Sequence, residues 1–258
     1  MKHIVLLIIF VFISSKCFAM TAAERFLLVG ASPPPNMGST SLAITGMLLH
    51  MDGTNGGSTF TDSVASPKTV NATGATTSSS FYKFGTTSGY FGPATSTKYL
   101  SVPSDSSLIF GSNNRTISMW VYLLHNSGNT WQSFIISKGP TSSTAGWNIA
   151  IDNTGTSYHV LLCTTDNDTN IYASYAMSVN IWHHIEVDTV SGTTTLYIDG
   201  TSVGSTSVAW AESSDPLIVG NWNYIPSEYN FDGYIDEVYI NNGTALHSSN
   251  FTPPTTPY

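Results

Sequence analysis

Apolar and polar positions alternate in short blocks along most of the chain. MLLHM, KYLSV, TISMWVYLL, QSFIISK, WNIAID, YHVLLC, IYASYA, HHIEVDTV, TTLYIDG, LIVGNW and YIDEVYI are the clearest apolar runs. Each is strand length and rich in β-branched and aromatic residues, and Ser, Thr, Gly and Asn fill the gaps. No stretch after residue 30 carries a 3.6-residue apolar stripe. Turn chemistry falls where hairpins need it: Asp199-Gly200 follows TLYI, and Asn242-Gly243 follows VYIN. About eleven strands with no helical crossovers predict an all-β, antiparallel sandwich. The pattern shows no internal repeat and no second domain.

The flanks read differently. Residues 1–19 have a basic start at Lys2, an apolar run from Ile4 to Ile13, and small residues before a cleavage point after Ala19. This is the pattern of a secretory signal peptide, so the chain is expected to be secreted. The apolar run is too short to span a bilayer. Lys16 before Cys17 argues against lipid attachment there. Residues 20–45 form a leader in which Thr21–Val29 suits a short helix and SPPPN then stops regular structure. The ordered domain is expected over 46–250. FTPPTTPY, residues 251–258, closes it with prolines that no inner strand accepts.

Composition narrows the class. Charged residues are 9% of the chain and the formal net charge is −8. A hydroxyl-rich surface with few charges suits an extracellular β protein, and the acidic balance disfavours nucleic acid and anionic membranes as partners. Once the signal is removed only Cys163 remains. An internal disulfide is then excluded, and the apolar run YHVLLC predicts a buried structural thiol.

FDGYIDEVYI, residues 231–240, poses a local problem. It reads as a strand with Asp236 and Glu237 at its centre. A regular strand puts Asp236 on one face with Tyr234, Val238 and Ile240, and Glu237 on the other with Ile235 and Tyr239. Whichever face is buried, the acid on it needs a partner.

Four stretches carry a family resemblance. NIWHHIEVDTVSGTTTLYIDGTSVGS (180–205) has a Trp-His-His strand leading to a strand that ends Tyr-Ile-Asp-Gly. PLIVGNW (216–222) and FDGYIDEVYINNGTAL (231–246) follow in order, and LLHMDGTNGGSTFTDS (48–63) opens the domain. Together they resemble laminin-G-like domains of the concanavalin A-like lectin/glucanase superfamily. The resemblance implies a jelly roll of two curved antiparallel sheets in which the first and last strands pair. It also implies one bound Ca²⁺ held by Asp62 and Asp236, with Asp52 as a further ligand. The alternative left open is that Asp236 accepts hydrogen bonds from turn amides and Asp62 caps a loop as an Asx-turn.

Other motifs carry less chemistry. DNDTN, residues 166–170, opens like an EF-hand loop but has Ile171 where Gly is needed and Met177 where Glu is needed. It is expected to be a hairpin turn. His183 and His184 are adjacent on a strand and point to opposite faces, so they cannot chelate one ion. The broader superfamily's glucanases carry Glu-x-Asp-x-Glu on one strand. Here Glu186-Val187-Asp188 lacks the third acid, which argues against a polysaccharide-degrading enzyme. NWNYIPSEYN, residues 221–230, sets Trp222, Tyr224 and Tyr229 among polar residues, a composition suited to the apolar face and hydroxyl rim of a sugar. The expectation is a non-catalytic module that binds an extracellular glycan or polysaccharide through these aromatics. A structural or adhesion module binding a surface or matrix protein is the alternative.

Overall fold

The computed structural model describes residues 43–124, 132–139, 146–152, 157–165, 170–222 and 229–258. Fifteen strands are formed there: β1 (Met47–Leu49), β2 (Asn71–Thr73), β3 (Thr76–Ser78), β4 (Ser88–Tyr90), β5 (Tyr99–Val102), β6 (Arg115–Leu123), β7 (Gln132–Lys138), β8 (Trp147–Asp152), β9 (Tyr158–Cys163), β10 (Ile171–Met177), β11 (Trp182–Val190), β12 (Thr193–Ile198), β13 (Thr201–Thr206), β14 (Leu217–Val219) and β15 (Gly233–Asn242). One 3-10 turn, Ser106–Leu108, is the only helical element among the described residues. None of the helical structure there is long and apolar enough to cross a membrane. Residues Ile44–Tyr258 make one compact unit.

Two antiparallel sheets form the sandwich. The eight-stranded sheet runs β13-β12-β11-β6-β15-β4-β3, with β1 also paired to β15. The seven-stranded sheet runs β10-β9-β8-β7-β14-β5-β2. The first and last strands lie side by side as expected, with Leu48 opposite Tyr239. The expected antiparallel pairing of YHVLLC with IYASYA is also present, while turn residues 166–169 fall outside the described set.

Period-two alternation builds the core. Ile117, Met119, Val121 and Leu123 of β6 face inward with Ile185 and Val187 of β11 and Leu196 and Ile198 of β12. Leu100, Val102, Ile149, Ile151, Val160 and Leu162 meet them from the other sheet. Trp147 and Trp210 join Phe110 in that core, with ring centroids 5.7 Å from Phe110 in each case. Cys163 is buried, in keeping with a structural thiol.

The strand β15 is not regular, and this changes which side chains share a face. Asp236 pairs with Trp120, but the next pair is Tyr239 with Ser118, so three steps on β15 match two on β6. Glu237 takes up the extra length at a φ of 51°. Val238 and Ile240 therefore join Ile235 in the core, and Asp236 lies on the outer face with Tyr234 and Tyr239. The regular alternation expected over 234–240 is corrected by this bulge.

The outer face of the eight-stranded sheet is covered rather than solvated, and every residue of β6 is buried. Phe81 stacks on Tyr122 at 4.6 Å, and the Lys83 ammonium sits 3.7 Å from the centre of the Trp120 ring. The C-terminal residues cover the rest. Phe251 packs edge-on to Tyr197 and His184, and Tyr258 stacks on Tyr239 at 4.5 Å. The Pro-rich end is thus part of the domain, laid across a sheet face where it needs no ladder hydrogen bonds.

Candidate functional site

The aspartates implicated in metal binding are held one by one. Asp62 Oδ1 accepts from the Leu48 amide at 3.0 Å and Oδ2 from the Lys68 amide at 2.8 Å, with Lys68 Nζ 3.8 Å away. Asp236 Oδ2 accepts from the Lys83 and Phe84 amides at 2.7 and 3.2 Å, and Oδ1 from the Glu237 amide at 3.0 Å. Asp52 Oδ1 accepts from the Thr86 and Thr87 amides. N–H dipoles aim their positive ends at these oxygens, which opposes a cation in the same place. The three side chains do not gather into one ligand set, and their surroundings do not fit a shared Ca²⁺. Asp236 and Asp62 accept from backbone amides as in the alternative reading, and Asp52 accepts from loop amides in the same way.

The aromatic loop is placed in part. Trp222 is only 7% exposed and stacks on Phe134 at 5.0 Å with the rings nearly parallel. Tyr229, at a φ of 57°, closes the edge of that pair 5.1 Å from Trp222. One face of the indole is therefore taken by Phe134, in a small cluster apart from the main core. Tyr224 lies outside the described residues.

A different aromatic faces solvent at the rim of the sandwich. Between Tyr172 and Ala176, β10 has four steps against two on β9. Tyr175 lies within this irregular stretch and is 46% exposed. Across the rim, β12 turns into β13 through Asp199 and Gly200, both at positive φ as a type I′ turn requires. Gly204 lets β13 approach β10: a Cβ there would lie 2.5 Å from Ile171 Cγ2. The result is a cleft of about 470 Å³ with Ile198 and Val203 as apolar lining and Ser174, Tyr175, Asp199, Thr201 and Ser202 as polar groups.

The carboxylate in this cleft is fixed by the two histidines. The Ser178 amide donates to His183 Nε2 at 3.2 Å, so the proton sits on Nδ1, which donates to Asp199 Oδ2 at 2.7 Å. The His184 amide donates to Asp199 Oδ1 at 2.9 Å. Burial alone would raise the Asp199 pKa, but these donors hold it below the ordinary value. Asp199 is thus ionised and oriented where it lines the cleft. The expectation that the two histidines point to opposite faces holds: His183 serves this rim, and His184 lies on the covered outer face. Sequence reasoning missed the cleft, although the DG turn and Tyr175 of IYASYA were its visible parts.

Behind the tail, β11 places His184, Glu186 and Asp188 in a row. Burial pushes Glu186 up to about 7, and burial together with the nearby Glu186 pushes Asp188 up to about 8. Burial also holds His184 down to about 3, so its ring is neutral. Its Nε2 lies 2.8 Å from Ser118 Oγ, which also meets the Tyr258 hydroxyl at 2.7 Å.

Residues 94–249 match the family described as the concanavalin A-like lectin/glucanases superfamily, Laminin_G_3. No curated protein matches the sequence. Solved structures share the fold at low identity. The botulinum neurotoxin serotype D/C VPI 5993 binding domain aligns at a TM-score of 0.56 and 17% identity, covering 78% of this chain and 49% of that one. The binding domain of botulinum neurotoxin DC in complex with SialylT gives 0.55 and 16%, covering 80% and 49%. A botulinum neurotoxin type C structure, whose cell entry depends on two ganglioside molecules, gives 0.55 and 16%, covering 78% and 48%. The chain spans about half the length of these structures.

Proposed function

This chain belongs to the concanavalin A-like lectin/glucanase superfamily, and from that premise we propose that it is a non-catalytic module that binds an extracellular glycan in the Tyr175–Asp199 cleft. One observation carries the reading: a solvent-facing aromatic ring stands beside a pre-oriented carboxylate and three hydroxyl side chains in one concavity. A pyranose presents an apolar C–H face and a rim of hydroxyls, which such a set complements by stacking and by accepting hydrogen bonds. Toxin binding domains with the same fold engage SialylT and gangliosides, which supports glycans as the ligand class. Action outside the cell follows from the secretory pattern of residues 1–19.

The mechanism is static recognition. Asp199 is locked by His183 and by the His184 amide before the ligand arrives, so little side-chain entropy is lost on binding. Absence of catalysis is proposed because the acid pair of β11, Glu186 and Asp188, is 0% and 1% exposed beneath the C-terminal segment, leaving no room there for a sugar ring. Ca²⁺ has no part in this reading.

A glycan-array screen of the full chain, followed by titration of the best ligand, tests it. Tyr175→Ala is expected to weaken binding at least about tenfold, while Tyr175→Phe keeps the stacking ring and most of the affinity. Trp222→Ala is expected to lower stability and to leave affinity nearly unchanged. Glycan binding indifferent to Tyr175 would remove the cleft from the reading. Absence of any glycan ligand, with self-association instead, would favour the adhesion alternative.

A further inference from the structure

After β15 the chain turns back and lays His247 over the acids of β11. His247 Nδ1 lies 2.5 Å from Glu186 Oε1 and 3.9 Å from Asp188 Oδ2. One donor atom from each of the three side chains falls within 4.8 Å of the others, and no other such trio of His, Cys, Asp or Glu is found among the described residues. Asp188 Oδ1 is occupied by the Thr116 hydroxyl and the Leu246 amide. Asp188 Oδ2 and Glu186 Oε2, by contrast, are buried and meet no donor among the described residues.

Two buried carboxyls that face each other this closely cannot both stay ionised unless a shared proton or a cation lies between them. A shared proton joins two atoms only. Here the donors come from three side chains, one an imidazole nitrogen, and they converge from two separate segments of the fold. A metal ion satisfies all three at once.

We propose that Glu186, Asp188 and His247 bind one divalent transition-metal ion, Zn²⁺ by preference, and that the ion fastens the C-terminal segment to the eight-stranded sheet. One imidazole and two carboxylates form a borderline N/O set of the kind Zn²⁺ accepts. Ca²⁺ takes six to eight oxygens, more than this pocket offers. Donors about 2.0–2.2 Å from a tetrahedral ion stand about 3.3 Å apart, and the present spacings fall on both sides of that value, so a small shift of the His247 ring admits it. His247 is 32% exposed at its side chain, which gives the ion a route in and leaves a solvent position for a fourth ligand. Phe251, stacked on His247 at 3.7 Å, holds the ring in place. His184, bonded through Nε2 to Ser118, stands 4.0 Å from Glu186 Oε2, too far to occupy that oxygen.

The test uses the full chain, stripped with EDTA, dialysed and titrated with ZnCl₂ alone. Calorimetry and elemental analysis are expected to give one Zn²⁺ per chain with a melting temperature raised by several degrees. Co²⁺ used as a probe is expected to show visible absorption of a four-coordinate N/O site. His247→Ala and the near-isosteric Glu186→Gln should each weaken binding about tenfold or more. His50→Ala, which breaks a different His–Glu pair, should leave it unchanged. No uptake by the parent chain would overturn the site and leave the acids with a shared proton. So would stoichiometric uptake that survives both ligand substitutions. Neither result bears on the Tyr175 cleft, which is read by glycan binding.

Discussion

Asp236 shows how a carboxylate can be buried in a strand at tolerable cost. It is 0% exposed, yet three backbone amides converge on it. Burial still dominates and pushes it up to about 7, assisted by the neighbouring Glu237. A carboxyl whose folded pKa is raised binds its proton more tightly folded than unfolded. Its stabilising share is complete below the unfolded value near 4 and is lost as pH rises through about 7. The melting temperature of the parent chain is therefore expected to fall more between pH 5 and pH 8 than that of Asp236→Asn, measured by thermal denaturation across that range. Parallel profiles for the two proteins would show that Asp236 does not titrate in this window. The sequence raised the question of what satisfies this acid but could not answer it. The donors belong to a loop about 150 residues away, and no local pattern announces that encounter.

Strands with an apolar run were legible; strands made by their neighbours were not. β2 (NAT), β3 (TTS), β4 (SGY) and β13 (TSVGST) carry no apolar run, and pairing makes them strands. Both bulges that matter were equally hidden, since an extra residue is defined only against a partner strand. Turn chemistry was more readable, because positive φ restricts residue choice locally. Two turns on the same hairpin path give a controlled prediction. Gly192, at a φ of 83°, has open space where a Cβ would sit, while at Gly200, φ 75°, a Cβ would lie 2.0 Å from the Phe251 carbonyl oxygen. Gly192→Ala should cost only the left-handed backbone term, about 1 kcal/mol. Gly200→Ala adds displacement of the Phe251 segment, whose amide donates to the Gly200 carbonyl at 2.9 Å, and should cost about 3 kcal/mol. Urea denaturation of the two variants measures the gap; equal losses would mean that the C-terminal segment yields freely.

For the whole molecule, the C-terminal residues decide whether the eight-stranded sheet has one buried face or two. Prolines after residue 251 read as the end of the domain because they cannot join a ladder, an inference about pairing that is silent about packing. A segment can cover a sheet with side chains alone, and Phe251 and Tyr258 do so over Tyr197, His184 and Tyr239. The Tyr258 amide also donates to Glu237 Oε2 at 3.2 Å, close to the bulge that breaks the strand's alternation. Without this cover, Glu186, Asp188 and His184 would face water in a row, and the sandwich would carry an acidic groove instead of a sealed face. Removing residues 251–258 is expected to destabilise the fold by about 3–6 kcal/mol, since each lost aromatic forfeits about 1.5–3 kcal/mol of burial. Tyr258→Phe, which keeps the ring and drops only the hydroxyl bonded to Ser118, should cost about 1 kcal/mol. Chemical denaturation resolves the two effects. A truncated chain as stable as the parent would mean that the segment rests on the sheet without holding it. In that case the outer face, not the rim cleft, would become the first place to look for a ligand.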